Sequence, residues 1–221
     1  MSHIIQAVIW DMDGVIVDTG TYHFKSWHYV FKKQGINFTE LDFQHIFGQR
    51  NDGIIKQYIG RDISQKEIDD IAQDKEENYR KLASGNLKPF PGVVKLLKSL
   101  KENGIKSAIA SSAPLENIRL ILKETGIEDY FQAIVYGREV SEGKPSPQIY
   151  LKAAEKLGVE PHNCVVIEDA VAGVQGARKA NMLCLAVTNT HAREGLSGAN
   201  MVVDSLSGMG LKDLNNLFTE K

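Results

Sequence analysis

Short apolar segments recur along the chain, and they limit its fold more than any other feature. The first, "IIQAVIW", covers residues 4–10 and is almost wholly apolar. Such a segment is typical of an interior strand in a parallel sheet that helices cover on both sides. Similar segments end at Ser111, Tyr136, Glu168, Thr188 and Asp204. The sequence therefore predicts a parallel sheet with the first strand in its middle.

Helical patterns lie between most of these segments. They begin after Pro91-Gly92, at Pro114, at Ser146-Pro147 and near Val171. In the third pattern, Ser146 is the predicted N-cap and Pro147 the first helical residue, because serine caps helices well and proline fits their first turn. Strands that alternate with helices form a doubly wound α/β fold around a parallel sheet. We predict this fold class for the chain.

Residues 19–84 interrupt this alternation. Four segments there have helical spacing, and none has the pattern of a strand. A stretch of this length after the first strand indicates a separate helical insert. We predict a core α/β domain of residues 1–18 and 85–221, and a small all-helical domain of residues 19–84.

Four of the predicted strands are followed by polar residues that can carry chemistry. These are Asp11 and Asp13, Ser111, Lys144 in the loop beyond the third strand, and Glu168 with Asp169. In an open parallel sheet, ligands bind beyond the carboxyl ends of the strands, so these side chains are expected to converge. Carboxylates that lie so close repel each other unless a cation neutralises them. An all-oxygen site suits Mg²⁺, while Ser111 and Lys144 offer donors to an anion.

Each of these residues also has an ordinary structural interpretation. Acids suit a turn after a strand or the first turn of a helix, serine suits a helix cap, and lysine suits the surface. Their joint occurrence, in order and at the same end of successive strands, favours a functional site.

The segments "DMDGV", "ASS", "GKPSP" and "VIEDA" resemble the four motifs of the haloacid dehalogenase superfamily of phosphotransferases. The resemblance implies a Rossmann-like core with a helical cap domain inserted after the first strand. It also implies that Asp11 is a nucleophile that forms an aspartyl-phosphate, and that Asp13 is the general acid and then the base. Ser111 and Lys144 would hold the phosphoryl group that is transferred.

The same resemblance implies that the cofactor is Mg²⁺. Asp11, Asp169 and the carbonyl of Asp13 would bind the ion, with Glu168 as a further ligand or as support. A carboxylate is a weak nucleophile that must approach an anionic phosphate, and Mg²⁺ and Lys144 would offset that repulsion. Positioning and electrostatics would then be the main catalytic effects.

Within the helical insert, "DTGTYHFKSW" is similar to a segment of the β-phosphoglucomutase-like subfamily. This similarity implies that Thr19 lies at the hinge, and that His23 and Trp27 lie near the substrate. Arg50 would contact the phosphate of the substrate, and Lys75, in "KEENY", would face the site. Structural alternatives stay open: Trp27 in the core of the insert, His23 at an interface, and Lys75 on a solvated face.

The segment after the second motif departs from the subfamily pattern. It is "SSAPLEN", in which Ser112 and Asn117 are the remaining candidates for substrate binding. Ala113, Pro114 and Leu115 are poor hydrogen-bond donors, and proline has no N–H at all. A mutase must hold the second phosphate of a bisphosphate intermediate, so this loop favours a phosphatase.

We therefore expect a Mg²⁺-dependent phosphatase that acts on a small phosphorylated metabolite such as a sugar phosphate. The main alternative is a phosphomutase of the β-phosphoglucomutase type, in which a sugar hydroxyl accepts the phosphoryl group instead of water. A haloacid dehalogenase needs no metal, and Glu168 and Asp169 argue against it. A non-catalytic sensor of phosphorylated metabolites is the fourth alternative, and the intact Asp11 and Asp13 argue against it.

Composition limits the classes of partner that the chain is expected to bind and the compartment in which it is expected to lie. The chain has 26 Lys and Arg against 28 Asp and Glu, so binding to nucleic acid or to an anionic membrane is not expected. Its two cysteines lie in apolar segments and are expected to be reduced, buried thiols. No apolar stretch approaches about 18 residues, and the N-terminus lacks the pattern of a signal peptide. We expect a cytoplasmic, monomeric enzyme whose partner is a small phosphorylated metabolite.

Overall fold

Six parallel strands form one sheet in the computed structural model, which describes residues 5–60 and 62–218. In chain order they are β1 (Ala7–Trp10), β2 (Lys106–Ser111), β3 (Ala133–Tyr136), β4 (Cys164–Glu168), β5 (Leu183–Val187) and β6 (Met201–Val203). Their spatial order is β3-β2-β1-β4-β5-β6, so the direction of progress across the sheet reverses between β1 and β4. A doubly wound sheet has this arrangement, and the predicted fold class is confirmed.

Strand β1 lies between β2 and β4. Ala7 pairs with Lys106 on one side and with Cys164 on the other, and all four residues of β1 are buried. Both faces of the strand are covered, which explains why the segment is almost wholly apolar. The segment predicted from the sequence began at residue 4, which lies outside the described residues.

Nine α-helices connect and cover the strands within the described residues. Four lie between β1 and β2, namely α1 (Gly20–Lys33), α2 (Glu40–Ile46), α3 (Asn51–Ile59) and α4 (Gln65–Ala83). The others are α5 (Val93–Glu102), α6 (Leu115–Thr125), α7 (Gln148–Leu157), α8 (Val171–Lys179) and α9 (Leu211–Asn216). Short 3₁₀ turns occupy Glu128–Tyr130, Gly137–Glu139 and Pro161–Asn163. None of the described helices combines the length and the apolar character needed to cross a lipid bilayer.

The start of α7 differs from the prediction by one residue. Pro147 is the N-cap, with φ of −75° and ψ of −7°, and the helix begins at Gln148. The N–H of Ser146 donates to the carbonyl of Gly143 at 3.0 Å, which closes a turn just before the helix. The predictions of Ser146 as N-cap and Pro147 as first helical residue were therefore wrong by one position.

Apolar side chains pack on both faces of the sheet, and a third apolar cluster lies inside the helical insert around Phe31. Helix α4 belongs to two of these clusters. Ile68, near its start, packs within the insert, whereas Tyr79 and Ala83, near its end, pack with one face of the sheet. Full burial of such large apolar side chains contributes about 1.5–3 kcal/mol each to stability. Both ends of α4 are therefore held by packing.

The helices α1 to α4 make up the predicted helical insert after β1. Its boundaries as a separate domain, 19–84 against 1–18 and 85–221, remain a prediction. The segments 1–4, 61 and 219–221 of those ranges lie outside the described residues.

Candidate active site

The carboxyl ends of β1, β2 and β4 bring polar side chains to one edge of the sheet. β1 pairs in register with both neighbours, and Asp11 follows it directly. The N–H of Asp11 donates to the carbonyl of Ile167 at 3.0 Å, which continues the pairing with β4. Ser111 is the last residue of β2 and Glu168 the last of β4, and both are buried. Strand pairing thus places these three predicted residues at the same edge of the sheet.

Lys144 connects two of the carboxylates. Its ammonium group donates to Oδ1 of Asp11 and, at 2.5 Å, to Oε1 of Glu168. The hydroxyl of Tyr150, on α7, donates to the same oxygen of Glu168 at 2.7 Å. Burial opposes the charge on Lys144, but the attraction of Asp11 and Glu168 outweighs it and raises the pKa of Lys144 above its usual value. Lys144 is therefore a buried cation directed at Asp11, not a surface lysine.

Asp11, Glu168 and Asp169 form a cluster of buried carboxylates. One oxygen from each lies within 4.8 Å of the other two. Burial, together with the charge of Glu168, raises the pKa of Asp11 to about 8 and that of Asp169 well above its usual value. The charge of Lys144 alone therefore does not keep all three carboxylates ionised. The crowded, all-oxygen donor set fits Mg²⁺, which would relieve this repulsion.

Gly14 follows the two aspartates of the first motif and touches this cluster. Its φ is +86°, a backbone conformation that favours glycine. A Cβ at this position would collide with the carboxylate of Asp169 and lie 2.9 Å from the methyl group of Thr190. The absence of a side chain at Gly14 lets the loop after β1 approach Asp169.

Asp13 points toward the helical insert. Its Oδ1 accepts a hydrogen bond from the hydroxyl of Thr19 at 2.5 Å and lies 3.3 Å from Nε2 of His23. Burial tends to raise the pKa of Asp13, but His23 and Thr19 outweigh it and hold the pKa below its usual value. Thr19, the predicted hinge, is the N-cap of α1 and contacts Asp13 in this arrangement. Asp13 is thus held in its ionised form.

Lys75 is buried against His23 rather than on a solvated face. Its Nζ lies 2.8 Å from Nδ1 of His23, and it donates to Oε1 of Glu76 at 2.7 Å. The ammonium group lies 5.1 Å from the centre of the Trp27 ring, within the range of a cation–π contact. The ring of Tyr79 stacks on His23 with 4.1 Å between centroids. Contacts therefore run from Asp13 through His23 to Lys75.

A cavity of about 40 Å³ lies between the insert and the sheet at this point. Its lining includes Asp13, His23, Trp27, Lys75, Glu76 and Ser112. Trp27 is also part of the apolar cluster of the insert, as its structural interpretation predicts, and its place near the substrate stays a prediction. Four predicted substrate-side residues, namely His23, Trp27, Lys75 and Ser112, therefore border the same space.

Glu76 was not identified from the sequence, although it stands next to Lys75. It is 5% exposed, and its carboxylate accepts from the amide of Asn51 at 2.8 Å and from the amide of Asn117 at 2.6 Å. Burial opposes its charge, but Lys75 and His23 outweigh burial and lower the pKa of Glu76 to about 2. An ionised acid therefore borders the cavity.

Asn117, predicted to bind substrate, uses its amide on the insert instead. It donates to Glu76, and its Oδ1 accepts from Arg80 at 3.0 Å. Both partners belong to α4, while Asn117 belongs to α6 of the core. In this structure Asn117 connects the core to the helical insert, and its part in substrate binding stays a prediction.

Arg50 does not border the cavity. Its guanidinium donates to the carbonyls of Val140, at 2.9 Å, and Ser141, at 3.3 Å, and forms an ion pair with Asp52. A Cβ at Gly143 would lie 2.9 Å from Cδ of Arg50, so the arginine packs closely on the loop that leads to Lys144. The structure therefore places Arg50 as a contact between the insert and that loop, and its predicted contact with substrate phosphate is untested.

The two serines after β2 differ in their surroundings. The hydroxyl of Ser111 accepts from the N–H of Ala113 at 3.1 Å, and its own proton has no acceptor among the described residues. Ser112 borders the cavity, and the absence of a side chain at Gly137 makes room for its carbonyl. The hydroxyl proton of Ser111 is therefore available to a ligand, and its predicted contact with phosphate stays a prediction.

The loop after β5 also reaches the site and was missed in the sequence. Asn189 donates to the carbonyl of Gly14 at 2.7 Å, and the hydroxyl of Thr190 donates to Oδ2 of Asp169. The rule that polar residues beyond parallel strands converge applies to β5 as well. Applied to "TNT" after β5, it would have indicated these residues.

Comparison with known proteins agrees with this geometry. The family model for haloacid dehalogenase-like hydrolases matches residues 8–187. The chain is 33% identical to Beta-phosphoglucomutase of Bacillus subtilis (strain 168), over 96% of this chain and 94% of that protein. It is 34% identical to Phosphorylated carbohydrates phosphatase of Thermotoga maritima, over 80% of this chain and 82% of that protein. Protein SUPPRESSOR OF QUENCHING 1, chloroplastic, of Arabidopsis thaliana is 34% identical over 95% of this chain, which spans 20% of the plant protein.

A solved structure shares the whole described architecture. The crystal structure of beta-phosphoglucomutase (pgmB) from Clostridium difficile superposes with a TM-score of 0.89. The two sequences are 31% identical, and the match covers 98% of each chain. The similarity therefore extends over the sheet and the helical insert alike.

Proposed function

The chain belongs to the haloacid dehalogenase-like hydrolase family, and on that basis we propose that it is a Mg²⁺-dependent phosphatase of small phosphorylated metabolites. Family members similar to it include a phosphatase and a phosphomutase, and both activities transfer a phosphoryl group. The observation that carries the proposal is the contact of Lys144 with Asp11 beside Glu168 and Asp169. It combines a nucleophile, a fixed cation and a set of oxygen ligands.

Asp11 is the proposed nucleophile. Its carboxylate attacks phosphorus, the ester oxygen leaves, and an aspartyl-phosphate forms on Asp11. Lys144 is already directed at Asp11 and neutralises part of the charge that two anions bring together. Ser111 offers its hydroxyl proton to the phosphoryl oxygens. When bound by Asp11, Asp169 and the carbonyl of Asp13, with Glu168 beside them, Mg²⁺ supplies further positive charge for the transferred group.

Asp13 is the proposed acid and base. It protonates the leaving oxygen in the first step and accepts a proton from the attacking water in the second. Its lowered pKa and the hydrogen bond from Thr19 favour the ionised form, in which Asp13 stands once the leaving oxygen has taken its proton. Lys75, which contacts His23, adds positive charge near Asp13 from the side of the insert. Trp27 closes the cavity behind Lys75.

Water is the proposed acceptor because the two cations that the sequence indicates on the insert, Arg50 and Lys75, already have partners. Arg50 is engaged by backbone carbonyls, and the charge of Lys75 is offset by Glu76. Pro114, in the loop beyond Ser112, has no N–H to donate. A substrate with one phosphate and a sugar remainder agrees with the name of the Thermotoga relative.

A phosphomutase of the β-phosphoglucomutase type is the second candidate. It is favoured by identity with the Bacillus enzyme over almost the whole chain and by the buried Lys75 on the insert. In a mutase, the same aspartyl-phosphate passes to a sugar hydroxyl and not to water. The two candidates therefore share every residue role proposed for Asp11, Asp13 and Lys144.

A panel of phosphorylated metabolites assayed for phosphate release with Mg²⁺ tests the proposal. We expect release from at least one sugar phosphate, and a fall of about 10³-fold or more in Asp11→Asn, because the nucleophile is lost. Asp129→Asn serves as the control, because Asp129 is exposed and precedes β3, at the edge of the sheet opposite Asp11. Incubation with β-glucose 1-phosphate and a trace of bisphosphate separates the candidates. Glucose 6-phosphate without free phosphate would favour the mutase, and unchanged transfer in Asp11→Asn would overturn both.

A further inference from the structure

The loop after β5 makes hydrogen bonds that the proposed chemistry does not use. Nδ2 of Asn189 donates to the carbonyl of Gly14 at 2.7 Å. The hydroxyl of Thr190 donates to Oδ2 of Asp169. Gly14 follows Asp11 and Asp13 in the loop after β1, whereas Asp169 follows β4. Two neighbouring residues of one loop thus reach both segments that carry the proposed metal ligands.

The contact is close as well as polar. The Asp169 carboxylate and the Cγ2 methyl group of Thr190 occupy the position that a side chain at Gly14 would take. A Cβ on Gly14 would lie 2.9 Å from that methyl group. Nδ1 of His191, the next residue, lies 3.0 Å from the backbone carbonyl of Asp169. The side chain and the backbone of Asp169 are therefore both held by the same loop.

We propose that Asn189 and Thr190 are positioning residues for the divalent cation, a role that rests on the metal site of the proposed function. A carboxylate ligand can rotate about its Cβ–Cγ bond, and a hydrogen bond to one oxygen fixes the direction of both. Thr190 fixes Asp169 in this way, while Asn189 fixes the loop that carries Asp11 and the carbonyl of Asp13. Partners of this kind affect metal affinity strongly, and their loss typically costs about 10–100-fold.

Direct measurement of metal binding tests this role without reference to turnover. Mn²⁺ binding is followed by electron paramagnetic resonance, and Mg²⁺ affinity by competition with Mn²⁺. We expect Thr190→Val to bind both ions about 10–100-fold more weakly, and Thr190→Ser, which keeps the hydroxyl, to bind them as wild type does. Asn189→Ala is expected to weaken binding in the same direction, because the loop after β1 loses its support.

Thr188→Val is the matched control. Its hydroxyl donates to Asp204 at 3.0 Å, in the same loop but away from the carboxylate cluster, so its affinity should equal that of wild type. Thermal unfolding of each variant without metal shows that it is folded. Wild-type affinity in Thr190→Val, or equal weakening in Thr190→Val and Thr190→Ser, would overturn the role of the hydroxyl. A wild-type protein that binds neither ion would overturn the metal site of the proposed function itself, and this role with it.

Discussion

The side-chain amide of Asn117 donates to Oε2 of Glu76 at 2.6 Å, and this bond joins α6 of the core to α4 of the insert. Both residues are buried, so water does not compete for the contact. Arg80 donates to the other end of the Asn117 amide at 3.0 Å. The insert therefore rests on the core through a buried polar contact right beside the cavity.

Replacing Asn117 with alanine removes this donor and leaves the ionised Glu76 buried with one partner fewer. We expect the free energy of unfolding to fall by about 1–3 kcal/mol, the cost of an unsatisfied buried polar group. Urea denaturation measures the change. Arg119→Ala, an exposed residue on the same helix, is the control and should stay within about 0.5 kcal/mol of wild type. Equal stability of the two variants would contradict a supporting role for Asn117.

Without metal, Asp11 should make the protein less stable as the pH rises. Burial raises its pKa from 3.8 to about 8, so the folded state keeps a proton that the unfolded state releases. Stability then falls with pH between those values, because the folded state binds more protons than the unfolded state. We expect wild type in EDTA to lose stability between about pH 4 and pH 8, and Asp11→Asn to lose less. Urea titrations at a series of pH values measure the free energy of unfolding of both proteins. The same pH dependence in wild type and Asp11→Asn would rule out a raised pKa of Asp11.

Adding Mg²⁺ should reverse that loss. A cation bound by Asp11 and Asp169 favours their ionised forms, so it stabilises the folded state most at high pH. We expect the midpoint of thermal unfolding to rise with Mg²⁺ concentration at pH 8 and much less at pH 5. Asp169→Asn should abolish most of the rise. A midpoint that ignores Mg²⁺ at both pH values would contradict the site.

Gly14→Ala combines backbone strain with a collision. A non-glycine residue at a φ of +86° costs about 1–2 kcal/mol, and the new methyl group would displace the Asp169 carboxylate. Gly104→Ala separates the two effects. Gly104 has a φ of +71°, but no atom lies within 4 Å of a Cβ built there, so this variant has the strain without the collision. We expect Gly14→Ala to lose at least about 1 kcal/mol more in urea unfolding than Gly104→Ala, and to bind Mg²⁺ more weakly. Equal losses would show that the close packing is unimportant.

Tyr79→Phe should leave stability unchanged or raise it by up to about 1 kcal/mol. The hydroxyl of Tyr79 is buried and has no hydrogen-bond partner within the described residues, and a buried unpaired group is unfavourable. Phenylalanine keeps the stacking on His23 and the packing against the sheet. Tyr79→Ala, which loses both, should cost about 3–5 kcal/mol. A loss above about 1 kcal/mol in Tyr79→Phe would mean that the hydroxyl is satisfied, for example by a buried water.

The strand-end residues could be predicted because one physical rule covers them. Lys144 and Asp11 are 133 positions apart, yet parallel strands must end at the same edge of their sheet, and the structure brings the two into contact. The helices of the insert could likewise be predicted from their spacing. The same rule, not applied to β5, would have indicated Thr190.

The contacts of the insert could not be predicted in this way. Helical spacing places Lys75 and Tyr79 on one face of α4, since they are four residues apart, but it does not say which helix or strand that face meets. A lysine in a charged run usually lies in water, and Lys75 is buried because His23 and Glu76 are there to receive it. Arg50 similarly takes its partners from backbone carbonyls, which have no signature in the sequence.

Helix α4 is held at both ends, so the insert cannot turn as a rigid unit without disturbing one of them. Its 19 residues span about 28 Å, with Ile68 embedded in the insert and Tyr79 and Ala83 embedded against the sheet. A rotation of the insert about Thr19 alone would separate Tyr79 from the core. The apolar surface exposed in this way would cost about 1.5–3 kcal/mol for each large side chain. A movement that opens the cavity therefore costs less if it keeps Tyr79 and Ala83 packed in the core than if it withdraws them.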